Sequence, residues 1–337
     1  MTQEKIVLTG FKPTGRPHLG NYLGMLKPSM ALMREEKRRC FYFLADLHAL
    51  NVVQEPALLR SYTYDAAACW LALGLDTSKV VFYRDSDVPQ IGQMASLLAP
   101  LLPKSLLNMA HAYKAATAKN KEAGKSDHDV DEGISIGLYQ YPLLMAADIL
   151  ALGADYVPVG KDQQQHLEMA RDVARRFELR YGPVLKAPEP LIDQTMATIP
   201  GLDGRKMSKS YDNVIPLFEE PTALRKKIQR IVTDSSPPSA PKDPTQSTLF
   251  DLYKGFATPE EIASMEAAYR QGIGWGEVKG ELFRVISREL TPAHEAYGYW
   301  RSHPEKIELL LQEGGHQARS IAQKIYERVG RAMGLLA

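Results

Sequence analysis

Four short β-rich runs, at residues 6–9, 40–45, 80–83 and 156–159, each end in small or polar residues and give way to a longer segment of helical period. Such alternation confines the chain to a parallel sheet, because parallel neighbours need a crossover and a helix is the usual one. Hydrophobic periodicity puts the helices at about 19–36, 56–73, 138–152 and 163–177. A doubly wound sheet binds its ligands beyond the carboxyl ends of its strands. Residues 9–20, 46–48, 85–87 and 160–163 follow those ends, so they are expected to converge.

After Ser210 the strand-like runs stop and charged helical periodicity continues to Ala337, which predicts an α/β domain over 1–210 and an all-helical domain over 211–337. Its last helices are expected to pack back on the first domain. Residues 235–247, SSPPSAPKDPTQS, are too rich in Pro and Ser for regular helix and read as an exposed loop. With 41 Lys plus Arg against 40 Asp plus Glu, a polyanion must be held by a local patch and not by the field of the whole molecule. Two cysteines, Cys40 and Cys69, are too few for a disulfide framework or a zinc ribbon and fit a reducing, cytoplasmic setting. The N-terminus lacks the pattern of a signal peptide, and the most apolar stretch, 138–154, carries Asp148 and is too short to span a bilayer.

Three strings imitate motifs and fail on spacing. Gly124, Lys125 and Ser126 lack the earlier glycine of a P-loop, where Lys119 stands instead. Asp127, Asp129 and Asp131 begin like a calcium loop but have Glu132 for the glycine and Leu138 for the last glutamate. Gly272, Gly274 and Gly276 follow no strand and read as a turn.

Two segments carry chemistry. Residues 6–24, IVLTGFKPTGRPHLGNYLG, deliver a strand into a Gly/Pro-rich turn that starts a helix, where unpaired N–H groups are expected to form an anion site with His18 as an added donor. Residues 201–210, GLDGRKMSKS, set two lysines and two serines on a glycine-flanked loop suited to closing over phosphates.

With PHLGN at 17–21 and KMSKS at 206–210, the chain resembles the class I aminoacyl-tRNA synthetases, and within them the tryptophanyl branch. The similarity continues through FYFLADLHAL at 41–50, YPLLMAADIL at 141–150 and DYVPVGKDQQQHLEMARDVARRF at 155–177, and beyond the signatures through KKI and TD within 226–234. The resemblance implies a Rossmann-like catalytic domain, ATP as substrate, and Mg²⁺ held by the phosphates with no protein metal site. It implies that Lys206, Lys209, His18 and Lys114 serve catalysis. ATP is expected to meet Lys12, Pro13, Thr14, Gly20, Asn21, Gly160, Lys161, Asp162, Ile199, Lys206, Met207, Ser208, Lys209 and Ser210. Asp148 is expected to accept from an indole N–H, since a carboxylate in an apolar helix needs a donor and indole nitrogen only donates. Met145 and Tyr141 share its helical face, Gln163 is expected to hold the amino acid's polar end, and His48 to border the same pocket.

The implied reaction activates L-tryptophan with ATP to tryptophanyl-adenylate and pyrophosphate, then transfers it to the terminal adenosine of tRNA(Trp). The basic run Arg225, Lys226, Lys227 and Arg230 is a candidate for phosphate contacts, although a solvated helix face fits it equally. The resemblance also implies a homodimer. Two alternatives stand beside this reading: a tyrosyl-tRNA synthetase, because a carboxylate accepts a phenol O–H as readily, and a nucleotide-binding paralogue that charges no tRNA. Pocket chemistry alone does not separate the first, whereas the YPLLMAADIL and VPVGKDQQQH strings, at 141–150 and 157–166, favour tryptophan.

Overall fold

A computed structural model describes residues 4–160, 164–191 and 199–337. Five strands, β1 (Lys5–Phe11), β2 (Arg38–Leu44), β3 (Val80–Arg84), β4 (Tyr156–Pro158) and β5 (Glu189–Leu191), form one parallel sheet in the order β3-β2-β1-β4-β5. The four expected strands are present. The fifth escaped notice because it is short, lies at the edge and contains Pro190, which cannot donate to a ladder. Register pairs Phe11 with Leu44 and Leu44 with Arg84, so the residues after β1, β2 and β3 emerge at one level.

The helices depart from the expected segments where proline intervenes. The segment 19–36 divides into the helix Leu19–Asn21, a π-helical turn Tyr22–Leu26 and the helix Lys27–Met33. Pro28 explains the division: it has no N–H, and its ring would press on the carbonyl of Gly24 in regular α-helix, which the wider turn avoids. Likewise the segment 138–152 breaks at Gln140 into Ile136–Tyr139 and Tyr141–Ala151, with Pro142 in the first turn of the second helix. The helix Pro56–Ala72 begins on Glu55, whose carboxylate accepts from Ala57 N–H and Leu58 N–H. The helix Gln164–Tyr181 follows the segment expected at 163–177, with Gln163 outside the described residues.

Alternation along the strands builds two cores. Cys40, Tyr42 and Leu44 of β2 face one side, with Trp70 of Pro56–Ala72 and Leu282 of the long helix Trp275–Ser302. Phe41 and Phe43 face the other, with Ile149 and Val173. Each such fully buried side chain contributes roughly 1.5–3 kcal/mol. The last helix, Pro304–Ala332, joins both cores through Ile307 and Leu311 on one side and Ala318 and Ala322 on the other. It covers the free edge of β3 at Gly314, where an added Cβ would lie 1.8 Å from the Phe82 carbonyl oxygen.

The loop at 235–247 is largely exposed, but Lys242 turns inward and donates to the carbonyls of Pro237, Pro238 and Ala240. Gly272 ends the helix Pro259–Gln271 at φ 95° and Gly274 precedes the next helix, so both lie in the expected turn, whereas Gly276 falls inside the helix Trp275–Ser302. Among the described residues, no helix is long and apolar enough to cross a membrane.

Candidate active site

β1 lies between β2 and β4, so connections leave it in opposite directions and a crevice opens at their carboxyl ends. A cavity of about 200 Å³ occupies that crevice, lined by Gly10 of β1 and Lys12 just after it, His48 after β2, Val159 after β4, and Tyr141, Met145 and Asp148 from one face of Tyr141–Ala151. Gly10 is required here, because a Cβ would sit 2.4 Å from the Phe43 ring. Asp148 is buried, and its Oδ2 accepts from His48 Nε2 at 2.7 Å. Burial pushes the Asp148 carboxyl above the usual range, and the charge and hydrogen bond of His48 draw it back in part. His48 stands edge-on to Tyr141, with ring centres 4.9 Å apart, and Lys12 Nζ lies 5.3 Å from the Tyr141 ring centre. Burial lowers the Lys12 pKa.

The turn after β1 joins this cavity to the lysine loop. Gly15 has φ 135°, which a side chain would strain, and its Cβ position lies 3.1 Å from Lys209 Nζ. The first-turn N–H groups, expected to be unpaired, all have partners: Leu19 donates to Ile215 O, Gly20 to Met207 Sδ at 3.2 Å, Asn21 to His18 Nδ1 and Tyr22 to His18 O. The lysine loop takes one of those donors through Met207, Ile215 beyond it takes another, and His18 takes the remaining two. His18 therefore differs from its expected role as a plain donor. Its Nδ1 accepts, which leaves the proton on Nε2, and burial together with the Lys209 charge lowers its pKa to about 4.

The loop itself is tied by Asn213. Asn213 Nδ2 donates to Asp203 Oδ1 and to the Lys206 carbonyl, and its Oδ1 accepts from Ser208 N–H. Met207 N–H donates to the Ile199 carbonyl, and Ser208 and Ser210 share a hydroxyl hydrogen bond. Burial lowers the Lys209 pKa to about 8, partly offset by the charge of Asp65.

The structure thus groups Lys12, Tyr141, Met145, Asp148 and His48 around one cavity, and Gly20, Asn21, His18, Ile199, Met207 and Lys209 at its neighbour. Pro13 and Thr14 lie in the connecting turn, where Thr14 N–H donates to the Lys12 carbonyl. Gly160 follows β4, while Lys161 and Asp162, like Gln163, lie outside the described residues. Lys114 is exposed on the helix His111–Glu122, whose first N–H donates to Gln165 Oε1. In the basic run, the Arg225 guanidinium stacks over Phe283 at 4.2 Å and Lys227 pairs with Glu219, while Arg225, Lys226 and Arg230 are exposed.

Three acids, Asp65 and Asp85 buried and Asp46 half-buried, went without a role in the sequence. Asp46 accepts from Leu47 N–H, Ser86 N–H and Ser86 Oγ–H. Asp85 lies fully buried after β3. Asp65, on Pro56–Ala72, accepts from the Tyr297 hydroxyl and sits 3.4 Å from Arg301. Position at a strand's carboxyl end is the one signal that marks Asp46 and Asp85; Asp65 has none.

A doubly wound sheet with a glycine turn and a lysine loop closed over it defines a nucleotide-activating enzyme, and residues 1–291 match the family of class I tRNA synthetases for tryptophan and tyrosine (W and Y). The chain belongs to that family, and it is an aminoacyl-tRNA synthetase. Within it, the tryptophan–tRNA ligase of Pseudomonas aeruginosa is 48% identical over 332 residues, 98% of this chain and 73% of that one. The tryptophan–tRNA ligase of Xanthomonas campestris is 48% identical over 331 residues, covering 98% and 76%. The crystal structure of tryptophanyl-tRNA synthetase from Campylobacter jejuni complexed with ADP and tryptophan matches with a TM-score of 0.85 at 36% identity, over 98% of this chain and 100% of that one.

Proposed function

We propose that this protein is a tryptophan–tRNA ligase, which joins L-tryptophan to ATP as tryptophanyl-adenylate, releases pyrophosphate, and passes the aminoacyl group to tRNA(Trp). The observation that carries the reading is Asp148: a buried carboxylate, oriented by His48, in the wall of an apolar cavity whose lining residue Lys12 begins the turn that packs on Lys209. An indole N–H satisfies that carboxylate, and Tyr141 and Met145 supply apolar contact on the same helix face.

ATP then lies along the turn 12–20 beneath residues 206–210, with Gly160, Lys161, Asp162 and Ile199 toward its nucleoside and Gln163 toward the amino acid's polar end. The tryptophan carboxylate is already a nucleophile at neutral pH, so catalysis consists of alignment and charge stabilisation. Lys209 and Lys206 neutralise charge on the phosphates as pyrophosphate departs, His18 Nε2–H donates, and Lys114 serves the leaving group. The loop's one carboxylate, Asp203, is engaged by Arg205 and Asn213, so Mg²⁺ would be held by the phosphates and supply further charge neutralisation there. The helical part, 211–337, takes the tRNA, with Arg225, Lys226, Lys227 and Arg230 as phosphate contacts. A cytoplasmic homodimer completes the proposal.

Charging of unfractionated tRNA with labelled tryptophan tests it. Tryptophan attached to one isoacceptor family in an ATP-dependent manner is expected. Charging with tyrosine, or with neither, contradicts it.

A further inference from the structure

Behind the cavity, the structure leaves an unbalanced charge. Asp85 begins the turn after β3 and is 0% exposed, yet neither of its carboxylate oxygens has a hydrogen-bond partner. One carboxylate oxygen of Asp85, one of Asp148 and a ring nitrogen of His48 all lie within 4.8 Å of one another. His48 meets Asp148 through Nε2 and Oδ2, which leaves Asp148 Oδ1 and His48 Nδ1 also without partners. The cluster therefore holds two carboxylates and one imidazole.

Even a fully protonated His48 balances one carboxylate only, and His48 is already committed to Asp148. Asp85, fully buried beside a second acid and with no basic side chain paired to it, is driven toward its neutral form. The other groups facing it do not help. Asp46, on the helix Asp46–Ala49, is a further acid held by Leu47 and Ser86, and Tyr83 from β3 brings a buried hydroxyl that also lacks a partner. The following helix, Gln90–Leu98, has no ionisable side chain. Arg84 turns away to Asp87 and Glu308, and Arg319 of the last helix binds the Asp87 carbonyl.

We propose that Asp85 is a positioning residue for amino-acid recognition: a neutral acid that gives its hydrogen bond to Asp148, directly or through one water, and so holds Asp148 as an ionised acceptor for the indole N–H. One proton is shared between two carboxylates, and its residence on Asp85 is what matters. On Asp148 the same proton would turn the acceptor into a donor, which an indole nitrogen cannot answer. Asp85 does not line the cavity, so it acts through Asp148 and not on the substrate. The inference rests on the reading of the cavity as a tryptophan site. Burial and the neighbouring acids raise the Asp85 carboxyl well above the usual range, in keeping with the geometry.

The test is tryptophan-dependent pyrophosphate exchange by the full chain and its D85N and D85A variants, from about pH 6.5 to about pH 9. In the unsubstituted protein, a KM for tryptophan that rises with pH is assigned to ionisation of Asp85, which breaks its hydrogen bond to Asp148. D85A is expected to raise that KM by about tenfold at neutral pH. D85N, which still donates and cannot ionise, is expected to recover most of the affinity and to lose the alkaline rise. An alkaline rise unchanged in D85N overturns the proposal, as does a D85A variant that loses only thermal stability. A stoichiometric zinc ion whose removal by chelator abolishes tryptophan binding also overturns it, since a metal would then balance the cluster. Absence of tryptophan-dependent exchange in the unsubstituted protein overturns the functional reading itself, whereas exchange with a KM for tryptophan unmoved in D85A overturns the role of Asp85 alone.

Discussion

Lys209 offers a quantitative handle on the lysine loop. Packed against Gly15 and partly desolvated, its ammonium has a pKa of about 8, against an ordinary value of 10.5. That difference corresponds to about 3 kcal/mol of penalty on the charged form. About nine-tenths of the free enzyme is charged here at pH 7 and about one-tenth at pH 9. If only the ammonium pairs with phosphate, kcat/KM for ATP falls about tenfold between those values, with a midpoint near pH 8. Pyrophosphate exchange at saturating tryptophan and varied ATP measures it. Lys209→Arg, which stays charged throughout, is expected to move the limb beyond the accessible range, and Lys209→Met to lower kcat/KM and flatten it. A limb with the same midpoint in Lys209→Met would refute the assignment, because another group would then be titrating.

Further consequences can be checked separately. Asp148→Ala is expected to weaken tryptophan binding by about 1.5–3 kcal/mol, the value of a hydrogen bond to a charged group, with ATP binding little changed; equal loss of both in a titration would point to misfolding. His18, at about 4, lies below its unfolded value of 6.5. Its contribution to stability is therefore complete above about pH 6.5 and lost as pH falls toward 4, about 3 kcal/mol in all. Melting curves should show that loss in the unsubstituted protein and less of it in His18→Asn. Gly314→Ala forces a Cβ into the Phe82 carbonyl and is expected to cost roughly 1–3 kcal/mol or more, read as a lowered melting temperature; an unchanged one would mean that the last helix does not seal β3 as described.

Local composition made part of this legible beforehand. The strands announced themselves by β-rich runs, and Asp148 by being a charge in an apolar helix where nothing local could pair with it. The lysine loop stood out by its glycines and repeated lysines. What lay beyond reach depends on contacts distant in the chain. Nothing in the neighbourhood of Asp65 foretells Tyr297 and Arg301, and nothing near Gly20 foretells that Met207 fills its N–H. The expectation of open donors at the helix start failed in part for that reason: distant residues Met207 and Ile215 take two of the N–H groups, and His18 takes the other two locally. Proline misled in both directions, concealing β5 at Pro190 and dividing two helices through Pro28 and Pro142. Asp85 was visible only as a strand-end residue, since its meaning depends on two acids and an imidazole brought together from three elements.

The most direct measurement is amino-acid-dependent exchange of pyrophosphate into ATP, with each protein amino acid supplied in turn and tRNA absent. Exchange with tryptophan alone is expected, with Asp148 accepting from the indole N–H at the end of the apolar cavity. Exchange with tyrosine instead would preserve the fold and the lysine loop but contradict the assignment of Asp148 to an indole.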